Sequence, residues 1–458
     1  MSEARDATTL KLMQSRAYRG WVLGLVTLVA LFGFADRQIT AVLAQPMKHD
    51  LGVSDTALGF LGGFAYAALN ALATIPIARL ADRGRRLTLI SIGVFVWSGA
   101  TALCGVAQSF IQLVGARLLV GMGEATGGPA TSSVIADYFP PERRASAAGI
   151  FALAIPLGAL VGAAGGGFIA QHFNWRVAFV IAGLPGIVIG LLVATTVREP
   201  LRGRYDRGGT DAAAAPSLLA VFKRMLAKPA FLHTVIGSTL VSTGGFGIIT
   251  FHAPYFFRRF GLDYAQAGLL TGLIGAIPGS LCILAAGFLT DRLGRRDVRF
   301  YGWVPAIGGF LAAPLYVVSF LQSGWIATTA LLMVTGLVQY AYLPVSNGVY
   351  QNLMEPRMRA SATAVVGMMT NLISASLGPL MVGALSDLLA ARSFAAHGGV
   401  DYAASCVGKG AAQTAAAGVC SQASAIGLQW ACMAFALIYL WGGVHFALAA
   451  RTMKRDMA

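Results

Sequence analysis

The chain has 458 residues, of which 56% are hydrophobic and 12% charged, and its formal net charge is +15. Charged residues make up about a quarter of an ordinary soluble domain, so this composition excludes a soluble globular protein. Hydrophobic runs of about 18 to 25 residues, each long enough to cross a hydrocarbon core, recur along the whole chain. We therefore predict an all-α membrane protein.

Twelve transmembrane helices are predicted, in two groups of six. In chain order they are 20–44, 56–78, 87–107, 110–136, 145–170, 177–197, 231–257, 264–289, 300–321, 325–350, 361–385 and 427–449. The polar segment between the groups divides the chain into an N-terminal half (1–197), a cytoplasmic linker (198–229) and a C-terminal half (230–458). Apolar residues at helical spacing late in the linker, opposite basic ones, predict a short helix on the anionic inner leaflet.

The basic charge follows the predicted topology. If the loops alternate between the two sides, 26 Lys and Arg residues lie on the side of the termini and 6 on the other. Cytoplasmic loops carry such an excess, so both termini are predicted to be cytoplasmic. Since the topology accounts for the net positive charge, we do not expect the protein to bind nucleic acid. Short loops, no Asn-x-Ser/Thr site and frequent Ala, Gly and Arg favour a bacterial inner-membrane protein.

Four Asp, Glu, Lys or Arg residues lie inside predicted spans: Asp36 and Arg37 in the first, Arg117 and Glu124 in the fourth. At 1.5 Å per residue Asp36 and Arg117 lie at similar depth in the outer half, with Glu124 nearer the middle. Arg117 and Glu124 share one helix face. Ionisable residues inside a membrane mark transport paths and proton relays. We expect a buried network that exchanges ion-pair partners and carries a proton; a fixed ion-pair brace is the alternative.

The spans of the C-terminal half carry no Asp, Glu, Lys or Arg in their interiors and offer neutral polar and aromatic side chains instead. A charged half facing a neutral half favours an amphipathic substrate, with a charged head and an apolar body. Ordinary packing is the alternative for each side chain. The residues predicted to line the cavity, two of them in the second span, are Tyr66, Asn70, Gln339, Tyr340, Tyr342, Asn347, Tyr350, Gln351 and Asn371.

The five cysteines fall into two groups. Cys104, Cys282 and Cys432 lie in spans, where they are expected to be small packing residues. Cys406 and Cys420 lie in the long outward loop before the last span. Because that side is oxidising, we predict a disulfide between them.

The two halves carry a repeated motif, "ARLADRGRR" at 78–86 and "GFLTDRLGRR" at 287–296. The second copy resembles, in full, the signature that the major facilitator superfamily carries between helices two and three and repeats between helices eight and nine. The first copy has Ala78 for the usual glycine and lacks one residue before Gly84. "RLLVGMGEA" (117–125) is similar to the family's fourth helix. The fifth span has glycines at the spacing of the antiporter motif, but Ala163 replaces its proline.

This resemblance implies the major facilitator fold of two six-helix bundles with the substrate site between them. It also implies a cytoplasmic gate that stabilises the outward-open state; ordinary positive-inside charge is the alternative reading. The gate residues are Asp82, Arg83, Arg85, Asp291, Arg292 and Arg295.

Within the superfamily, "FADRQ" in the first span, "RLLVGMGEA" in the fourth and "ADYFPPERRASAAGIF" after it look like the spinster branch. That resemblance implies transport of lysophospholipids or sphingolipids with proton coupling, through Asp36, Arg37, Arg117 and Glu124.

The function expected is therefore a monomeric, proton-coupled secondary transporter of an amphipathic lipid-like substrate, working by alternating access. A multidrug or organic-anion proton antiporter of the same fold is the alternative, and sodium coupling stays open. Neither an enzyme nor a cofactor or metal is expected, since the sequence shows no metal-ligand cluster, no nucleophile with a base at suitable spacing and no nucleotide-binding loop. A receptor or scaffold is not favoured, because no large soluble domain is present.

Overall fold

A computed structural model of the chain describes residues 15–201, 218–355, 358–408 and 416–457. Most of this part of the chain is helical, and it contains no strand. Its main helices form twelve runs, as predicted. They are α1 (Arg16–Val42), α2 (Asp55–Gly59, Phe60–Phe64 and Ala65–Arg83), α3 (Arg86–Val106), α4 (Phe110–Glu124 and Gly128–Tyr138), α5 (Pro141–Ala152 and Ala154–His172), α6 (Trp175–Thr196), α7 (Pro229–Thr250 and His252–Phe260), α8 (Tyr264–Gly294), α9 (Phe300–Phe320), α10 (Trp325–Gln339 and Tyr342–Leu353), α11 (Arg359–Ala396) and α12 (Ala417–Ala436 and Ile438–Met457).

Eleven helices in the described ranges are long and apolar enough to cross a membrane. The α4 run is not one of them because it breaks after Glu124 into two shorter helices. Glycines surround the break in the sequence, and glycine weakens a helix interior. Large apolar side chains such as Ile111 and Phe288 are exposed on the outside, as expected of a surface solvated by lipid.

Close packing between α1 and α5 and between α5 and α8 depends on glycine. A Cβ atom on Gly162 would collide with the backbone of Ala35 in α1, and one on Gly167 would collide with the carbonyl of Tyr264 in α8. Missing side chains let helix backbones approach closely. The glycines of the fifth span therefore have a packing role in this structure.

The N-terminal and C-terminal halves meet closely where α2 and α8 begin. We name this the outer end, because the charge pattern predicts that it faces away from the cytoplasm. At this end Gly59 lies against the carbonyl of Pro379 in α11, and Gly383 against that of Asp55. The α2–α11 and α5–α8 contacts thus hold the two halves together at the outer end.

Two smaller features lie in the C-terminal half. A disulfide joins Cys406, at the end of the short helix Tyr402–Cys406, to Cys420 in α12. The three free cysteines are buried. The linker helix (Leu218–Leu226) buries Val221 and Met225 against that half, while Leu219 and Leu226 remain exposed. The first part of the linker, residues 202–217, lies outside the described residues.

Candidate transport site

Asp36 of α1 and Arg117 of α4 form a buried ion pair. Nη1 of Arg117 donates to Oδ2 of Asp36 at 2.6 Å, and the hydroxyl of Thr101 in α3 donates to Oδ1 at 2.7 Å. The side chains of Asp36 and Arg117 are 2% and 1% exposed. Both carboxylate oxygens of Asp36 therefore have a donor, as a buried carboxylate requires.

Arg37, the next residue along α1, pairs with Glu124 instead. Its Nε and Nη2 donate to Oε2 of Glu124 at 2.9 and 2.7 Å, and the hydroxyl of Tyr66 donates to the same oxygen at 2.6 Å. Oε1 of Glu124 is buried and has no hydrogen-bond partner among the described residues. One carboxylate oxygen thus accepts three hydrogen bonds while the other accepts none.

Tyr66 connects the two ion pairs. The guanidinium carbon of Arg37 lies 4.9 Å from the centre of the Tyr66 ring, and that of Arg117 lies 5.6 Å from it. Arg37 also lies 5.0 Å from the ring of Phe34. Cations over aromatic rings are stabilised by the negative ring face. The four ionisable residues predicted from the sequence therefore meet at one place, around a tyrosine of α2.

The backbone of α2 and α4 positions Tyr66 beside Glu124. A Cβ atom on Gly121 would collide with the carbonyl of Tyr66, so the two helices are in direct contact there. One turn further on, Asn70 donates from Nδ2 to the carbonyl of Gly121 at 3.0 Å. The π-helical turn Phe60–Phe64 lies just before Tyr66. Such turns are frequent at functional sites because they change the register of a helix.

The two pairs differ in accessibility. The side chain of Arg37 is 38% exposed, whereas its partner Glu124 is only 4% exposed. Because neighbouring residues on a helix point about 100° apart, the side chain of Asp36 is buried in the protein while that of Arg37 is partly exposed. Arg37 is therefore the most exposed of the four ionic side chains, and Asp36 and Arg117 are the least exposed.

The predicted cavity-lining residues are distributed over several environments. Tyr66 contacts the ionic network, and Asn70 binds the backbone of α4 at Gly121. Gln339 is held inside the C-terminal half, where Tyr316 and Tyr439 donate to its Oε1. Tyr350 is buried and its hydroxyl lies 2.7 Å from that of Ser238. Of the others, Tyr342 is buried, Tyr340 is half-buried, and the exposed residues are Asn347, Gln351 and Asn371.

The predicted gate residues lie at the inner end of the molecule. Asp291 accepts a hydrogen bond from the hydroxyl of Tyr301 at 3.3 Å. Arg85, Arg292 and Arg295 are exposed. The side chains of Asp82 and Arg83 lie outside the described residues. Their role as a gate stays a prediction.

Arg86, one of the basic residues that the charge pattern assigns to the cytoplasmic side, makes the most hydrogen bonds in this region. Its Nη1 donates to Asp137 and to Ser133 in α4, and its Nε donates to Glu199 beyond α6 at 2.8 Å. Nη2 donates to the carbonyl of Pro200 at 3.1 Å. A single buried guanidinium therefore ties together the inner ends of α3, α4 and α6.

Comparison with known proteins adds the family context. The family model described as Major Facilitator Superfamily matches residues 26–379. The chain is 33% identical over 81% of its length to an "MFS-type efflux pump" of Mycolicibacterium smegmatis, and the match covers 85% of that protein. It is 24% identical over 80% of its length to the "Sphingosine-1-phosphate transporter SPNS2" of Danio rerio, 76% of which is covered.

A crystal structure of a bacterial homologue of the human lysosomal transporter spinster, inward-facing and unoccupied, superimposes with a TM-score of 0.89 at 30% identity. The match covers 96% of this chain and 99% of the other. The inward-facing, occupied form of that homologue gives a TM-score of 0.85. These comparisons agree with the family and the branch predicted from the sequence motifs, and the relatives are transporters rather than enzymes.

Proposed function

Since the chain belongs to the major facilitator superfamily of membrane transporters, we propose that it is a proton-coupled secondary transporter of an amphipathic, lysophospholipid- or sphingolipid-type substrate. We place it in a bacterial inner membrane with both termini in the cytoplasm, acting as a monomer on the proton gradient. The likeness to a spinster homologue and to a sphingosine-1-phosphate transporter supports the lipid-like substrate.

The observation that carries the proposal is the pairing of an accessible Arg37 with a buried Glu124. An anionic headgroup that binds Arg37 competes with Glu124 for the same guanidinium donors. A carboxylate that loses its cation in a buried site takes up a proton, since the charged form is poorly solvated there. The free Oε1 of Glu124 can accept that proton without breaking another hydrogen bond. Headgroup binding and proton uptake are thereby coupled at one guanidinium.

Within this scheme the other pair has a different role. Asp36 and Arg117 are buried, and both oxygens of the Asp36 carboxylate accept a hydrogen bond, so the pair acts as a fixed brace between α1 and α4. In this proposal the pair of Arg37 and Glu124 exchanges partners, and the pair of Asp36 and Arg117 is the fixed brace.

The test is transport of a labelled lysophospholipid by proteoliposomes, with and without an imposed pH gradient. We expect movement that depends on the gradient, and we expect Glu124→Gln to lose that dependence while the protein still folds. Glu355→Gln is the matched control, because it makes the same chemical change at an exposed carboxylate 3.7 Å from Arg224. Gradient dependence that survives in Glu124→Gln would remove Glu124 from the coupling role.

A second candidate is a multidrug or organic-anion proton antiporter. It is favoured by the 33% identity to an efflux pump. The same proteoliposomes distinguish the two functions. Gradient-driven movement of a drug cation or a sugar diacid, with no movement of lysophospholipid, would support this candidate over the lipid transporter.

A further inference from the structure

Asp55, the first residue of α2, is the centre of a buried ionic cluster at the outer end. Its Oδ1 accepts from Nζ of Lys48 at 2.7 Å and from Nη2 of Arg258 at 2.7 Å. Its Oδ2 accepts from Nη1 of Arg258 at 2.6 Å and from the hydroxyl of Ser386 at 2.7 Å. Lys48 belongs to the N-terminal half, whereas Arg258 of α7 and Ser386 of α11 belong to the other. One carboxylate thus joins the two halves.

Asp387 of α11 strengthens the same junction. Its Oδ1 accepts from the backbone N–H of Asp55 at 3.0 Å, and its Oδ2 accepts from the N–H and the hydroxyl of Thr56 at 2.8 and 2.6 Å. The first N–H groups of a helix have no partner within it and carry a positive partial charge. Asp387 therefore caps α2 from the opposite half of the protein.

The contact between α5 and α8, on the other flank of the outer end, is built differently. The N–H of Tyr264, where α8 begins, donates to Oε1 of Gln171 in α5 at 3.1 Å. Below it Gly167 and Gly268 bring the two backbones together. In both contacts one half caps a helix of the other. The α2–α11 cap is ionic, whereas the α5–α8 cap is neutral and continues into glycine packing.

We propose that Lys48, Asp55, Arg258 and Asp387 form the outer gate of the transport cycle, an ionic latch that must open before the outer end can open. This inference rests on the proposed transport by alternating access, but not on the substrate or on the coupling ion.

The distribution of charge makes such a latch reversible. When the halves separate, Lys48 stays paired with Asp55 in the N-terminal half, while Arg258 and Asp387 both stay with the C-terminal half. Each half then keeps one acid and one base and exposes no net charge to the opening. Water replaces the lost donors, so the latch can close again without a change of protonation.

The experiment measures the outer distance directly. Spin labels on cysteines introduced at Gln108 and Ser323, one exposed site in each half, report the separation by double electron–electron resonance in nanodiscs at fixed pH. The native cysteines are either buried or joined in the disulfide. We expect Asp55→Asn and Asp387→Asn each to raise the population with the longer distance about tenfold. The first leaves Lys48 and Arg258 buried without their anion. The second weakens the cap that the half-buried Asp387 forms on Asp55 and Thr56.

Asp50→Asn is the matched control. Asp50 pairs with Arg176 at the same end, but both residues belong to the N-terminal half, so the distance distribution should not change. If Asp55→Asn fails to fold, Asp387→Asn still tests the latch. This variant leaves both ion pairs of Asp55 in place, so we expect it to fold. An unchanged distribution in Asp387→Asn would overturn the latch. No substrate or proton gradient is used, so an opening response with no lipid transport would support the latch and count only against the proposed function.

Discussion

Tyr66 donates its hydroxyl to Oε2 of Glu124 at 2.6 Å, on the same oxygen that accepts both donors from Arg37. The neutral hydroxyl of Tyr66 in α2 therefore binds the carboxylate of Glu124. In the described network this is the one carboxylate whose partner cation is accessible. This relationship places Tyr66 where it can set the pH at which the site takes up a proton.

Tyr66→Phe removes that hydrogen bond but keeps the ring over Arg37. A hydrogen bond to a carboxylate favours its charged form, so its loss makes proton uptake easier. We expect the midpoint of the pH profile of transport to move upward. Rates in proteoliposomes between pH 5 and 9 measure it. A midpoint that stays in place would show that the hydroxyl does not tune Glu124.

Thr101→Val leaves Oδ1 of Asp36 buried without a donor. We expect a loss of about 1–3 kcal/mol in the free energy of unfolding, which is typical of an unsatisfied buried polar group. The pH profile of transport should not change, because Asp36 belongs to the brace. Thermal unfolding in detergent gives the stability, and Thr101→Ser, which retains the hydroxyl, should unfold like the native protein. A shifted pH profile would instead assign Asp36 to the proton pathway.

Arg86→Lys should destabilise the inner end of the N-terminal half. A lysine keeps the charge but cannot reach Asp137, Glu199 and Ser133 together, because it lacks the planar fork of the guanidinium. We expect a loss of about 1–3 kcal/mol in thermal or denaturant unfolding. Arg85→Lys changes the exposed neighbour in the same way and should have no effect. Equal stability of the two variants would contradict the anchoring role of Arg86.

The disulfide between Cys406 and Cys420 should protect both thiols from a membrane-impermeant maleimide until a reductant is added. The other three cysteines are buried and should not react in the folded protein. Mass spectrometry should therefore count no label before reduction and two afterwards. Labelling of Cys406 without reductant would show that the loop is open in the membrane-embedded protein.

The sequence was informative wherever a residue is rare in its surroundings. Asp36, Arg37, Arg117 and Glu124 stand out because charges inside hydrophobic spans have to be paired or functional, and the structure brings all four together. The pairing between them could not be read in advance, because it depends on the rotation of α1 and α4 about their axes. Thr101 was missed for a related reason, since a hydroxyl in a span gives no signal of its own.

The end of α11 shows how hydropathy can mislead. The predicted span stopped at residue 385 because polar residues follow, yet the helix continues to Ala396. Ser386 and Asp387 are polar because they bind the first turn of α2. Arg258 was counted as an ordinary loop charge, since its partner Asp55 lies in the other half and no local pattern connects them. Side-chain contacts between the two halves therefore cannot be predicted from the local pattern of a single sequence.

The break in α4 gives Glu124 a mechanical position as well as an electrostatic one. Glu124 is the last residue of the first helix of α4, and the second, Gly128–Tyr138, is a rod of about 16 Å at 1.5 Å per residue. Asp137, near the far end of that rod, holds Arg86. By this geometry a small tilt at the joint beside Glu124 would produce a larger displacement at Arg86, at the inner end of α3. The second helix of α4 would thus act as a lever arm between the ion pair of Glu124 and the anchor at Arg86.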